Sequence, residues 1–237
     1  MKLDIRGTGP GIAELEHLDD LPVELRDPVR MFADLINAGF VVPDDPVSRR
    51  PERPRVVLTG PRFSDARDTA AWHIDAPGLP VSHLLIAKNL LGMRAIEASF
   101  VAAGNHEPLT LENVDFPRHE ASVPFAFTVD LDESVPIRGC MIYVQYRAPL
   151  EKARADQLCK QFSIWGNVAM CGGFTPPGVA PGKAGTLFVA AFQYDPGTIA
   201  LEFEECFAID FASFELIKRF LLEQTDAGNP VVDVTVE

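Results

Sequence analysis

The chain has 237 residues, 47% of them hydrophobic and 23% charged, which is ordinary for a globular protein and excludes disorder of the whole chain. Its formal net charge of -13 repels phosphate backbones and anionic membrane surfaces on average, so we expect neither nucleic acid nor a membrane as a partner. The acidic start of the chain lacks the apolar run of a signal peptide, and no stretch approaches about 18 consecutive apolar residues, which predicts a cytoplasmic protein.

Two elements are predicted in residues 1–42. Residues 1–6 alternate between apolar and polar side chains, which is typical of an edge strand. A helix is predicted to begin after Asp27, a favoured N-cap, and to end at Gly39. Its apolar residues recur at helical spacing: Val29, Phe32, Ala33 and Ile36. This apolar face must pack against another element.

Residues 43–54 are predicted to be a linker. The stretch is rich in proline and arginine, and proline disfavours a helix. An extended, solvated linker is the favoured interpretation, and an anion-binding or partner-binding arm is the alternative.

An α+β segment is predicted over residues 55–138. Its elements are a strand at 55–59, a mostly helical stretch at 63–91, and strands at 94–103 and 123–131. Ser82 is the expected cap of the apolar end of the helical stretch. A polar connection, residues 104–120, joins the last two strands.

Residues 139–237 follow the order strand, helix, strand, strand, helix, strand. The elements are strands at 140–146, 186–194, 198–207 and 231–236, and helices at 150–165, ended by Gly166, and at 213–224. This order predicts a ferredoxin-like, split-βαβ fold, in which an antiparallel sheet carries both helices on one face. The elements of residues 55–131 partly repeat this order without its second helix and last strand. A diverged tandem repeat and one continuous α+β domain are both open.

The predicted fold does not define a function, because ferredoxin-like proteins include sensors, enzymes, electron carriers and RNA-binding proteins. The best candidate site is the loop at residues 166–185, in which nine of 20 residues are glycine or proline, too many for a regular element. Long loops in compact folds are more often functional than idle. We expect this loop to form a pocket wall or lid.

Cys171 is the candidate nucleophile or acid of this loop, because neighbouring glycines leave access to it open. Trp165 and Phe174 flank it and are candidate substrate-binding residues. No histidine follows Cys171 in the chain, so any base must come from an earlier part of it.

The polar connection at residues 104–120 carries the candidate partners of Cys171. They are His106, Arg118 and His119, as acid, base and carboxylate clamp. We expect them to converge on Cys171 in the folded chain, and a hydrophilic surface loop is the alternative interpretation.

No metal or cofactor is expected. Asp65, Asp68, His73 and Asp75 are close in sequence, but on the predicted helix Asp68 and His73 do not share a face. The cysteines stand singly, without the spacing of a metal site or a disulfide framework, and are expected to be reduced: Cys140, Cys159, Cys171 and Cys206.

These observations predict a metal-independent enzyme that acts on a small polar metabolite, in a pocket between the 166–185 loop and the 104–120 connection. The alternative is a non-catalytic ligand-binding or assembly module, in which the loop contacts a partner chain. A homodimer is expected, because a sheet with helices on one face leaves its other face to be covered.

Overall fold

The structure is a computed structural model, and it describes residues 1–15, 17, 21–41, 55–104, 107–112, 114–116, 128–130, 140–175, 187–205, 217, 220–221 and 228–236. These residues form two β-sheets with helices packed against them, so the predicted α+β class is confirmed. We call residues 1–104 the first half and residues 140–236 the second half.

The first sheet belongs to the first half. Its strands are β1 (Lys2–Thr8), β2 (Val57–Phe63), β3 (Thr69–Asp75) and β4 (Glu97–Ala102). They follow the order β2-β3-β1-β4, and every neighbouring pair is antiparallel. The helices of this half are α1 (Gly11–Glu14), α2 (Val23–Arg26), α3 (Pro28–Asn37) and α4 (Leu84–Gly92).

The second sheet has five strands in the order β5-β9-β6-β8-β7. They are β5 (Thr128–Asp130), β6 (Cys140–Tyr146), β7 (Leu187–Asp195), β8 (Thr198–Glu205) and β9 (Val231–Val236), and α5 (Lys152–Met170) joins β6 to β7. Strands β6 to β9 pair antiparallel, whereas β5 pairs parallel to β9. Read from the last strand of each half, and leaving out β5, the strands of the two sheets follow one order: β4-β1-β3-β2 and β9-β6-β8-β7.

Strand β1 confirms the alternating pattern at the start of the chain. Leu3 and Ile5 are buried on one face, and polar residues lie on the other. The prediction of an edge strand was wrong, because β1 pairs with both β3 and β4. Its polar residues occupy the solvent face of a central strand rather than an open edge.

Helix α3 confirms the predicted N-cap. The Asp27 side chain accepts hydrogen bonds from the backbone N–H of Val29 at 2.9 Å and of Arg30 at 3.2 Å. Its second oxygen accepts one from Nε1 of Trp72 at 3.3 Å, which ties the helix to β3. Gly39, with φ of 101°, follows the helix in the left-handed conformation that glycine tolerates.

The prediction of a mostly helical stretch at residues 63–91 was wrong for its first part. Residues 69–75 form β3, and a turn closed by the Ser64 hydroxyl, which donates to Asp68 at 2.8 Å, precedes that strand. Ala70, Trp72 and Ile74 are buried at every second position, which is the period of a strand. Helical structure begins only with a 3₁₀ turn, Val81–His83, and Ser82 makes no capping hydrogen bond.

Helix α5 extends beyond its predicted end. Gly166 lies inside the helix, which continues to Met170. A Cβ atom at Gly166 would lie 2.5 Å from Cδ2 of Phe188, so this glycine allows β7 to approach the helix and does not terminate it. The left-handed residue after the helix is Gly172, with φ of 70°.

The two halves share one hydrophobic core. Helix α3 contacts α4 within its own half and α5 of the second half, and α5 packs on β7 and β8. Across this junction Nε2 of Gln161 donates to the carbonyl of Ala38 at 3.0 Å, and the Phe40 ring stacks on Phe220 with centroids 4.3 Å apart. Of the helix predicted at 213–224, three residues are described, and they are helical and buried: Ile217, Phe220 and Leu221.

Candidate functional site

A cavity of about 320 Å³ lies at the junction of the two halves. It is bounded by α4, by the start of β4 and by the turn that follows α5. The lining residues are Lys88, Asn89, Gly92, Ile96, Glu97, Ala98, Gly172 and Thr175. The volume is at the lower end of the roughly 300–1,000 Å³ of small-molecule pockets.

The wall from the first half is built by a tight reversal between α4 and β4. The backbone N–H of Ala95 donates to Gly92 at 2.9 Å and that of Ile96 to Leu91 at 3.1 Å, which brings the strand back beside the helix. Gly92 lies one turn after Lys88, on the same side of α4. A Cβ atom at Gly92 would meet no atom within 4 Å, so the absent side chain leaves room in the cavity.

Asn89 joins the two walls of the cavity. Its Nδ2 donates to the carbonyl oxygens of Gly173 at 3.1 Å and of Thr175 at 2.7 Å, which uses both amide hydrogens. The Thr175 hydroxyl donates to the Gly172 carbonyl at 2.8 Å and closes the turn on itself. The turn of the second half is therefore held to a helix of the first half, and Oδ1 of Asn89 keeps its capacity as an acceptor.

The lining of the cavity includes one basic and one acidic residue. Lys88 on α4 and Glu97 on β4 are both solvent-exposed and both line the cavity. Within the described part of the chain neither takes part in an ion pair. Lys88 is therefore open to interaction with a bound molecule, whereas Glu97 pairs with the exposed Thr8 and lies on the other face of β4 from Ala98.

Cys171 lies directly before this turn and is partly exposed. Burial raises the pKa of its thiol, and the nearby Arg94 guanidinium opposes that shift by a smaller amount. A raised pKa keeps the thiol protonated, whereas a nucleophile requires the thiolate. Cys159 is also a free thiol, whose pKa is raised by burial.

Trp165 and Phe174 are core residues in the structure. Trp165 is 0% exposed and Phe174 is 3% exposed, and their rings stack with centroids 5.7 Å apart. Neither residue lines the cavity. Their predicted contact with a substrate stays a prediction.

The predicted partners of Cys171 lie outside the described residues: His106, Arg118 and His119. Their convergence on Cys171 stays a prediction. The described wall opposite the turn consists of α4 and β4 instead of the 104–120 connection. Sequence reasoning missed Lys88, Asn89 and Glu97, although Lys88 and Asn89 are the polar pair in the otherwise apolar sequence of α4, LLIAKNLLG.

Two histidines of the first half have contrasting surroundings. His83 is 0% exposed, and burial lowers its pKa to about 4, so it is neutral at pH 7. His73 lies on the outer face of the first sheet, where its Nδ1 is 2.9 Å from Asp4. The helical geometry assumed for Asp68 and His73 was wrong, since His73 lies on β3. The described residues nevertheless contain no group of three His, Cys, Asp or Glu side chains suited to a metal ion.

No family model, no characterised protein and no solved structure matches this chain. Among the described residues, no helix has both the length and the apolarity needed to cross a bilayer. The junction cavity and the surfaces of the two sheets are therefore the features that can indicate a function.

Proposed function

We propose that this protein binds a small polar metabolite in the cavity between α4, β4 and the Gly172–Thr175 turn. The observation that carries the proposal is the pair of hydrogen bonds from Asn89, which joins residues 84 and 86 positions apart in sequence. A preformed wall lowers the ordering cost of binding, because the turn is already fixed before the ligand arrives. The polar residues that line the cavity supply hydrogen bonds and charge, and Ile96 supplies an apolar surface.

Binding without covalent catalysis is the form of this proposal that we favour. The raised pKa of Cys171 argues against its predicted role as nucleophile. An enzyme that uses His106, Arg118 and His119 as acid, base and clamp is the other form, and it would act on the same class of ligand without a metal or cofactor. A cytoplasmic location belongs to the same proposal.

We also propose that each half is a ferredoxin-like unit, so that the chain is a diverged tandem repeat. The support is the shared strand order, together with a helix after the first strand and another before the last strand of the first half. This repeat would begin at β1 and β6, and not at the strand near residue 55. The cavity would then lie between two related units, a common position for ligand sites.

The test of the binding proposal uses Gly92→Leu. The new side chain has open space around its Cβ atom and would occupy the cavity while leaving the core intact. A library of small polar metabolites is screened by ligand-observed NMR against the wild type, Gly92→Leu and a control, Lys160→Leu, at an exposed position of α5. We expect at least one compound to bind the wild type and the control but not Gly92→Leu. If no bound compound distinguishes Gly92→Leu, the proposal is wrong.

A second candidate function, assembly into a homodimer, is favoured by the outer face of the second sheet. Tyr194 is 60% exposed, Val189 46% and Leu187 44%, and the Tyr143 ring meets Tyr194 edge to face at 5.2 Å. Exposed apolar groups that cluster on one face mark interaction sites. We propose that a second copy of the chain covers this face.

Sedimentation velocity tests the dimer. Tyr194→Glu should shift the protein to a monomer, because a charge would be buried in the contact. Gln193→Glu adds the same charge at the adjacent exposed position and should leave the sedimentation coefficient unchanged. A wild type that is monomeric at all concentrations tested would rule out this function.

A further inference from the structure

We infer that the ligand of the junction cavity is a small hydroxy acid, with a single carboxylate and a hydroxyl group close to it. This inference rests on the proposed binding function and narrows it to a chemical class. It is argued from the lysine on the outer side of α4, from neutral polar atoms that accept hydrogen bonds but cannot donate them, and from the apolar surface beside them.

Lys88 supplies positive charge to the wall formed by α4. Lys88, Asn89 and Gly92 lie within about 100° of one another around the helix axis, on the side of α4 that borders the cavity. Lys88 is exposed and takes part in no ion pair within the described part of the chain. It is one turn from Gly92, where open space replaces a side chain, so its ammonium group can reach a carboxylate bound there.

A second cation lies close to the turn on the opposite wall. Burial raises the pKa of the Cys171 thiol, and the Arg94 guanidinium is near enough to oppose that shift. Cys171 directly precedes Gly172, which lines the cavity. Arg94 also donates to the carbonyl of Leu25 at 3.2 Å, which fixes the position of its side chain. Its charge therefore adds to the attraction of an anion at longer range.

The acidic lining residue does not oppose that anion at close range. Glu97 pairs with Thr8, and both are exposed on the solvent face of the first sheet. Ala98, the next residue, lies on the opposite face of β4, because successive side chains of a strand alternate between faces. Within the described lining, the charge that remains on the side of the cavity is that of Lys88.

The neutral polar side chains of the cavity are acceptors. Asn89 uses both amide hydrogens on the carbonyl oxygens of Gly173 and Thr175, at 3.1 Å and 2.7 Å, so its Oδ1 can only accept from a ligand. The Thr175 hydroxyl donates its hydrogen to the Gly172 carbonyl at 2.8 Å, which leaves its lone pairs. A hydroxyl group on the ligand supplies the donor that these acceptors lack.

Ligands of other charge fit these residues less well. A second carboxylate or a phosphate dianion would face acceptor atoms that offer it no hydrogen. The ammonium group of an amino acid would be repelled by Lys88 and Arg94, and the described lining places no carboxylate beside it. Ile96 and Ala98 form an apolar surface, and a volume of about 320 Å³ suits a short carbon chain.

The experiment measures dissociation constants by ligand-observed NMR or calorimetry. The probes are glycolate, both enantiomers of lactate and 3-hydroxybutyrate. The tightest is compared with the acid that lacks the hydroxyl group, with its amide and with the amino acid of the same carbon chain; for lactate these are propionate, lactamide and alanine. Each analogue should bind about three- to tenfold more weakly, because a hydrogen bond or a charge-assisted contact is lost. Malate and inorganic phosphate, which carry more negative charge, should also bind more weakly.

One variant assigns the carboxylate to its residue. Lys88→Gln should weaken binding of the hydroxy acid about three- to tenfold and abolish its advantage over the amide. Its advantage over the acid without a hydroxyl group should remain, because the acceptors are unchanged. Lys160→Gln removes the same charge at an exposed position of α5 and should change no dissociation constant. Both positions are exposed, so both variants are expected to fold.

The outcomes separate this inference from the proposed function. Hydroxy-acid binding that Gly92→Leu abolishes, with the predicted selectivity and its loss in Lys88→Gln, supports both. The inference is wrong and the proposed function stands if Gly92→Leu abolishes binding of another compound while the hydroxy acids bind no more tightly than their analogues. The same conclusion follows if Lys88→Gln leaves the advantage over the amide unchanged. If no compound binds, or Gly92→Leu changes the binding of none, both are wrong.

Discussion

The two halves have the same strand order but differ in whether their buried polar side-chain atoms have hydrogen-bond partners. In the first half, Nε1 of Trp72 donates to Asp27 at 3.3 Å. In the second half, three buried polar atoms have no hydrogen-bond partner among the described residues: the Tyr146 hydroxyl, Oε1 of Gln161 and Nε1 of Trp165. An unpartnered buried polar atom costs about 1–3 kcal/mol. The same topology therefore does not determine how a core satisfies its polar groups, and the second half has more stability to gain from apolar substitution.

The largest expected effect is the decrease in the free energy of unfolding when either of the two stacked rings in the second half is removed. Trp165→Ala and Phe174→Ala should each lower the free energy of unfolding by about 3–5 kcal/mol, because both residues are buried in the shared core. The sequence placed Phe174 in the 166–185 loop, where a much smaller cost would be expected. Chemical denaturation of both variants measures this cost. A decrease in the free energy of unfolding below about 1 kcal/mol for Phe174→Ala would show that Phe174 is not a buried core residue.

The next effect concerns pH and the buried histidine of the first half. Burial lowers the pKa of His83 to about 4, so the neutral form is favoured in the folded state. The contribution of His83 to the free energy of unfolding is complete above pH 6.5, the pKa of histidine in the unfolded chain, and is lost as the pH falls toward 4. Between about pH 7.5 and 5.0 the wild type should lose about 2 kcal/mol from this group.

The comparison with His83→Gln isolates this contribution, because other groups titrate equally in both proteins. The free energy of unfolding of His83→Gln should fall less over the same pH range. Parallel pH profiles for the wild type and His83→Gln would contradict the prediction.

Replacing each tryptophan by phenylalanine tests the comparison of the halves directly. Trp72→Phe leaves an oxygen of Asp27 without its donor and should cost about 1–3 kcal/mol. Trp165→Phe removes an indole N–H that has no partner among the described residues, so its packing loss is offset. Thermal unfolding of both variants should give the larger decrease for Trp72→Phe, and the reverse order would overturn the comparison.

The smallest effect is a gain. Tyr146 is buried, its hydroxyl has no partner within the described residues, and burial raises its pKa. Tyr146→Phe removes only that hydroxyl and should stabilise the protein by up to about 1 kcal/mol. Tyr194→Phe, at an exposed tyrosine, should leave the free energy of unfolding unchanged and serves as the reference. Destabilisation by Tyr146→Phe would show that the hydroxyl is satisfied in solution.

Local patterns predicted much of the fold. Helix α3 follows from its cap at Asp27 and its apolar spacing, and β6 to β9 follow from alternation and turn residues. The errors have physical reasons. The polar turn before β3 resembles a capped helix start. The strand itself has only seven residues, so the alternation of Ala70, Trp72 and Ile74 gives a weak sequence signal. A glycine is typical of a helix end, but Gly166 is required inside the helix because the Phe188 ring of β7 leaves no room for a side chain there.

The candidate site was predictable only in part. The sequence predicted a pocket at the 166–185 loop, which stays a prediction, and Gly172 and Thr175 of this segment belong to the lining of the junction cavity. The opposite wall depends on Asn89, whose partners are 84 and 86 residues away in sequence. No local period or motif encodes a contact of that range, so the residues of this wall were not recognisable from the sequence.

The close approach of Gly166 to Phe188 constrains how this chain can diverge. Any side chain at residue 166 meets the Phe188 ring, so a substitution there is tolerated only after the ring has been replaced by a smaller group. Relatives of this protein should therefore inherit glycine at 166 together with an aromatic residue at 188, and exchange both or neither. Gly92 has no such neighbour and is free to vary, so ligand preference can evolve in α4 while the α5–β7 contact remains unchanged.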